Sequence, residues 1–223
     1  MYIVFEQANI GYDEKIILKQ VDFTLDAHQF VFLTGKIGSG KSTFLKSIYA
    51  EAKIFSARTA KVLDFNLLKL KKRKIPRLRR QIGFIFQDFK FLPDKNVYEN
   101  LRFVLRATGW NNEMKIRRRI HEVLKAVDML DFQNAMTFEL SGGQQQKIAI
   151  ARALLNNPKI ILADEPTGNL DPQASLQITS LLFELSKKFE TSVLMATHDL
   201  NVINSLPNQP TYLVENSQIT KIK

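Results

Sequence analysis

The 223-residue chain contains no cysteine, which excludes disulfide staples and any cysteine-ligated zinc or iron–sulfur centre. It has no run of about 18 apolar residues, the length a helix needs to cross a bilayer. Its first residues, Met1-Tyr2-Ile3-Val4-Phe5-Glu6, lack the basic start and long apolar stretch of a signal peptide. No repeat and no long linker divides the sequence, so residues 1–223 are expected to form one domain. Acidic residues are in deficit, 22 Asp and Glu against 32 Lys and Arg, for a formal charge of +10. The excess is clustered. Eight of the twelve residues from Lys69 to Arg80 are Lys or Arg, and Arg117-Arg118-Arg119 form a second group. Such clusters are solvated faces or attract nucleic acid or anionic lipid. No aromatics interleave with the first cluster as single-strand stacking requires, so a membrane surface or an acidic partner fits better than nucleic acid.

Hydropathy is ample, with 45% of residues apolar, as in a folded globular protein. Tyr2–Phe5 and the alternating Gln20–Leu25 read as strands, and Ile82–Phe86 as another. Ile160–Ala163 and Ser192–Ala196 are continuous apolar runs, the pattern of parallel strands covered on both faces. A helix around Gln173–Phe189 joins them as a crossover. Residues from about 97 to 155 read as helical, most clearly a helix from about Glu113 with Ile116, Ile120, Val123, Leu124 and Val127 on one face. The tail reads as a hairpin, Thr211–Val214 with Gln218–Ile222.

Gly35-Lys36-Ile37-Gly38-Ser39-Gly40-Lys41-Ser42 lies between the apolar run Phe30–Leu33 and a helical pattern starting at Thr43. Strand, glycine loop and helix in that order make a phosphate-binding loop. Its backbone N–H groups curl around phosphates at a helix N-terminus. Lys41 reaches the β- and γ-phosphates and Ser42 supplies a hydroxyl ligand for Mg²⁺. This chain is expected to bind a nucleoside triphosphate.

Asp164-Glu165 ends the apolar strand at 160–163 and precedes Pro166-Thr167-Gly168. At the carboxyl end of a parallel strand, Asp164 is placed to hold Mg²⁺ through water, and Glu165 to polarise an attacking water. His198 likewise follows a strand, in Ala196-Thr197-His198-Asp199; taken alone, such a histidine is more often structural than catalytic. Leu140-Ser141-Gly142-Gly143-Gln144 opens another helix. Ser141 can cap it while paired glycines leave N–H groups free for an anion. That is a second phosphate site with no lysine of its own, suited to a nucleotide held by another chain.

Phosphate loop, Gln87 after a strand, Leu-Ser-Gly-Gly-Gln signature, Asp164-Glu165, Asn169-Leu170-Asp171 and Thr197-His198-Asp199 follow in that order. The whole resembles the nucleotide-binding subunit of an ATP-binding-cassette system from about residue 3 to 220. The resemblance implies an α/β fold: a P-loop core with a parallel sheet, an N-terminal antiparallel β-subdomain and a helical signature subdomain at about 97–155. It implies ATP and Mg²⁺, with Ser42, Gln87 and Asp164 at the metal. Gly35, Gly38, Ser39, Gly40, Lys41, Ser42 and Thr43 would hold phosphates and Tyr12 would stack on adenine. Glu165 would be the base, His198 would hold the γ-phosphate and water, and Gln87 would sense both nucleotide and membrane partner. Ser141 and Gly143 would contact the γ-phosphate of an opposite subunit, with Asp171 crossing the interface of a homodimer.

Arg79-Arg80-Gln81-Ile82-Gly83-Phe84-Ile85-Phe86-Gln87-Asp88 and Val193-Leu194-Met195-Ala196-Thr197-His198-Asp199 resemble the cell-division branch, the FtsE type. Its members work on the cytoplasmic membrane face with an FtsX-type membrane subunit and control cell-wall hydrolases. Ala163–Asp171 is shared with lipoprotein-releasing and macrolide-exporting cassettes, which stand as the alternative. Cassettes acting on nucleic acid carry inserted coiled coils, cysteine-bound zinc or paired cassettes, none of which this sequence shows. Gln144 and Lys147 stand where the family usually has Glu and Arg. His28, Ala60 and Asp64 stand at glycine positions, which predicts reshaped turns in the β-subdomain.

Overall fold

The computed structural model describes all 223 residues. An antiparallel sheet is built from β1 (Ile3–Tyr12), β2 (Lys15–Leu25), β4 (Lys53–Ser56), β5 (Thr59–Val62) and β6 (Phe65–Asn66). Its order is β2-β1-β5-β6, with β4 also on β1. The second sheet contains β3 (Phe30–Thr34), β7 (Ile82–Ile85), β8 (Ile160–Asp164), β9 (Ser192–Ala196), β10 (Thr211–Glu215) and β11 (Gln218–Lys221). Its order is β11-β10-β3-β9-β8-β7, parallel except for the terminal hairpin.

The parallel strands bury both faces because successive side chains point to opposite sides. Phe30 and Phe32 of β3, Ile161 and Ala163 of β8, and Val193 and Met195 of β9 join one core. The intervening Val31, Leu33, Ile160, Leu162, Leu194 and Ala196 join the other. The first core is roofed by α3 (Val97–Ala107), α4 (Glu113–Ala126), α5 (Gly142–Leu154) and α6 (Pro172–Lys188). The second packs α1 (Lys41–Ile48) and the antiparallel sheet, where Phe44 meets Phe5 and Phe23 edge-on. The α4 residues Ile116, Ile120, Val123 and Leu124 are all buried, as is Val127 just beyond its end. Short α2 (Ile75–Arg79) and α7 (Leu200–Ser205) complete the chain. None of the helices is long and apolar enough to cross a membrane.

The turns that lack glycine carry side chains in its place. His28 adopts φ 60° and Leu63, before Asp64, φ 51°, so side chains occupy the left-handed region that glycine favours. Ala60 is buried in β5 opposite Phe5, in regular antiparallel register.

Candidate functional site

The carboxyl ends of β3, β8 and β9 are neighbours in the sheet, and at this edge the chemistry-bearing side chains converge. The phosphate loop leaves β3 with Gly35 at φ 145° and enters α1 through Gly40 at φ 110°. A Cβ on Gly35 would stand 2.4 Å from the Val214 carbonyl of β10, so a side chain there is excluded by space as well as by conformation.

Lys41, at the first turn of α1, is only 5% exposed. Its Nζ donates to the carbonyls of Gly35 (2.8 Å) and Lys36 (3.2 Å) and lies 3.2 Å from Glu165 Oε1. Glu165 Oε2 in turn lies 2.9 Å from His198 Nδ1. Lysine, carboxylate and imidazole therefore form one chain running from the phosphate loop across β8 to β9. Glu165 holds φ 47°, a strained backbone for a residue with a side chain. The strain is fixed by its N–H donating to Ala196 O and its carbonyl accepting from Gly168 N.

Ser42 Oγ donates to Asp164 Oδ1 at 2.8 Å. Burial pushes the Asp164 carboxyl above its ordinary value, against the Ser42 hydrogen bond, with Glu165 adding to the rise. A hydroxyl and a buried carboxylate side by side are hard oxygen donors of the kind Mg²⁺ takes, one or two from protein and the rest from phosphate and water. Ser39 Oγ is buried in the same loop with no hydrogen-bond partner, an orphan donor that a phosphate oxygen would satisfy. The residues present fit a Mg²⁺–triphosphate.

The Ser141–Gly143 segment has a different construction. Ser141 caps α5: its Oγ accepts from Gln144 N (3.3 Å) while Gln144 Oε1 accepts from Ser141 N (2.9 Å), a reciprocal capping box. Space is open where a Cβ of Gly143 would stand. A cavity of about 610 Å³ opens here, lined by Ser141–Gln144, Lys147, Asn169–Asp171 and α6 residues including Ala174 and Ile178. No residue of the phosphate loop lines it. Asp171, read as an interface residue, caps α6 by accepting from Ala174 N at 2.9 Å.

The family model described as ABC transporter matches residues 18–168. The chain belongs to the ABC transporter family. It is an ATP-hydrolysing cassette that resembles FtsE. The cell division ATP-binding protein FtsE of Streptococcus pneumoniae serotype 2 (strain D39) is 43% identical over 204 residues, 92% of this chain and 87% of the relative. FtsE of Escherichia coli (strain K12) is 44% identical over 187 residues, 84% and 83% of the two chains. The dimeric post-hydrolysis state of the ATP-binding cassette MJ0796, bound to ADP and Pi, superposes with a TM-score of 0.85. It is 32% identical, and the match covers 99% of each chain.

Within the cassette, the structure brings Lys41, Ser42, Asp164, Glu165 and His198 into one connected cluster. Tyr12, at the end of β1, is partly buried; burial raises its phenol, which faces Thr43 of α1. Gln87 stands apart: it is exposed beyond the end of β7 and makes no side-chain hydrogen bond. Sequence reasoning missed Arg152 of α5, which ties down the segment after Gln87. Its Nη1 donates to Lys90 O at 3.0 Å and its guanidinium lies over the Phe91 ring. Burial lowers its pKa to about 10. The signal was one arginine inside the otherwise apolar run Ile148–Leu154.

Proposed function

We propose that the chain is the ATPase subunit of a cell-division complex of the FtsE–FtsX type. It works as a homodimer whose closing on ATP and opening after hydrolysis move a membrane subunit. The supporting observation is that the phosphate loop and the Ser141–Gly143 cavity share no lining residue within one chain. Two copies in a head-to-tail pair complete two sites, each from the loop of one and the signature of the other. The solved MJ0796 cassette, bound to ADP and Pi, is likewise a dimer, which supports pairing.

In the proposed site the N–H groups of Gly35, Gly38, Ser39, Gly40 and Thr43 and the Lys41 ammonium bind the phosphates, with Tyr12 stacked on adenine. Ser42 and Asp164 would hold Mg²⁺, together with Gln87, and the ion would supply charge neutralisation for the transferred phosphoryl group. Lys41 exchanges the Gly35 and Lys36 carbonyls and its ion pair with Glu165 for phosphate oxygens, which frees Glu165 to accept a proton from the attacking water. His198, hydrogen-bonded to Glu165, orients that water and the γ-phosphate. Ser141 and Gly143 of the opposite copy present a hydroxyl and an N–H to the same phosphate, and Asp171 crosses the interface. The segment after Gln87, held by Arg152, passes the motion to the membrane subunit.

The same proposal places the cassette peripherally on the anionic cytoplasmic face of the membrane. Lys69, Lys71, Lys72, Arg73, Lys74, Arg77 and Arg80 are exposed, and none forms a salt bridge with an acidic side chain, as the ion pairs lie elsewhere. Each basic residue near an anionic surface contributes about 1 kcal/mol.

The test is to purify Glu165→Gln with ATP from detergent-solubilised membranes of the native host. Recovery of a small membrane protein with four spanning helices and a large extracytoplasmic loop is expected. A lipoprotein-releasing or drug-exporting permease moves the assignment to transport, and nucleic acid alone overturns the membrane model. Reversing charge at Lys71, Lys72 and Arg73 releases the cassette from those membranes; unchanged fractionation returns the patch to a solvated face.

A further inference from the structure

The outer face of α4 carries charge that the fold does not neutralise. Ile116, Ile120, Val123 and Leu124 turn the inner face of this helix to the core. Met114, Arg118, His121 and Lys125 are all exposed. They follow one another at steps of four, three and four residues, so they share one stripe on the opposite side. At 1.5 Å per residue the stripe runs roughly 16 Å. Lys115 and Arg117, also exposed, flank it. None of Lys115, Arg117, Arg118 and Lys125 forms a salt bridge.

The acids that could neutralise the stripe are engaged elsewhere. Glu113 stands four residues before Arg117, and Glu122 four after Arg118, spacings at which opposite charges meet on a helix. Glu113 Oε1 instead takes Arg102 Nη2 at 2.7 Å, and Arg106 as well. Glu122 Oε1 takes Arg119 Nη1 at 2.9 Å, and Arg119 is itself buried, donating to the carbonyls of Leu154 and Leu155. Lys115 lies in the first turn, where the helix dipole disfavours a cation, and one turn before Arg118, which it repels. For the isolated fold this placement is slightly destabilising.

We infer that this face of α4 docks an acidic helix of a partner protein. Steps of three and four are the spacing of a seam between two helices lying side by side. A helix with glutamates at the same steps meets Arg118 and Lys125 directly, and charge complementarity of this kind sets the register of an interface. A lipid surface fits the stripe less well, because a helix lying in a membrane interface inserts large aromatic and aliphatic side chains. The one apolar member here is Met114, 80% exposed, whose flexible thioether suits a protein contact. The surface is separate from the nucleotide site: no residue of α4 lines the Ser141–Gly143 cavity or the recess at the phosphate loop.

The probe is a synthetic helix with four glutamates at positions i, i+4, i+7 and i+11 in a background of alanine and glutamine. Its control has the same composition with the glutamates scattered around the helix. In titrations at low salt the one-faced peptide binds the chain at least about tenfold more tightly than the control, and added salt weakens it. Arg118→Glu combined with Lys125→Glu removes the preference. Arg118→Lys with Lys125→Arg keeps it, as does charge reversal at Lys71, Lys72 and Arg73. ATP turnover of the α4 reversal stays at the wild-type value, which shows that the variant is folded. Equal binding of the two peptides, no measurable binding of either, or a preference that survives the α4 reversal overturns the inference. Vesicles of phosphatidylglycerol are titrated in parallel. If the α4 reversal weakens vesicle binding and no peptide preference exists, the stripe belongs to lipid and the acidic helix is overturned.

Discussion

Around the phosphate loop Lys41 and Asp164 are buried, and the polar groups are paired across the sheet: Lys41 with Glu165, Glu165 with the exposed His198, Ser42 with Asp164. Around Ser141 they are exposed and paired only with near neighbours, through a capping box three residues long. The first half is therefore coupled to the core, because its partners are 33 to 124 residues apart in sequence and held by strand order β3-β9-β8. The second half is a local device on one helix, and a Cβ on Gly143 would meet open space. In the proposed function, charges in the first half would govern chemistry and nucleotide affinity, and the second half what two chains do together.

Glu165→Gln breaks this contrast most severely. Removing a general base costs about 10²- to 10⁴-fold in turnover, while ATP binding persists and the closed dimer accumulates. The check is steady-state phosphate release beside sedimentation with ATP, and undiminished turnover removes Glu165 from the base role.

The two halves separate more finely in a pair of truncations. Lys41→Ala lowers the nucleotide affinity of the monomer about ten- to a hundredfold, the loss of a charge-assisted hydrogen bond worth about 1.5–3 kcal/mol. Ser141→Ala leaves monomer affinity alone, costs the helix cap about 1 kcal/mol, and lowers only dimer-dependent hydrolysis. Calorimetry on monomers, then turnover at rising protein concentration, decides between them. Equal losses of monomer affinity in both variants would erase the distinction.

The same contrast explains what could be read in advance. Both halves lie in contiguous motifs with their own glycines and caps, and the parallel core declared itself through the unbroken apolar runs of β8 and β9. The helix at Glu113–Ala126 was legible from Ile116, Ile120, Val123 and Leu124 because its buried face repeats at helical spacing. The antiparallel sheet was less so. The stretch Tyr2–Phe5 that reads as a strand overlaps only Ile3–Phe5 of the ten-residue β1, because bulges shift the register between Phe5, Ala8 and Ile10, and Gln7 takes φ 51°. Alternation breaks there, and Gln20 at φ 50° interrupts β2 in the same way. The short β4, β5 and β6 hold too few residues for any period to show. The link from Lys41 through Glu165 to His198 depends on which strands are neighbours, and no motif spacing encodes that.

The smallest expected effect concerns Asp164, where the loop half keeps a charge in unfavourable surroundings. Burial raises its carboxyl pKa in the folded chain, so between the ordinary carboxylate value and the raised one the native state binds more protons than the unfolded state. Stability then falls as pH rises through that window, and at neutral pH the nucleotide-free protein carries the full cost of an ionised, buried Asp164. Asp164→Asn removes the charge while keeping an oxygen for the Ser42 hydroxyl. The variant should melt about 2 °C or more above the wild type at neutral pH, with the gain shrinking as pH is lowered toward the ordinary carboxylate range. Hydrolysis should fall, since the neutral amide is a poorer ligand for a hard cation. Thermal melts across that range, without nucleotide, read the effect directly. An Asn variant that melts at or below the wild type at neutral pH would show that the buried carboxylate is compensated by its neighbours, and that the loop half stores no strain for the cation to relieve.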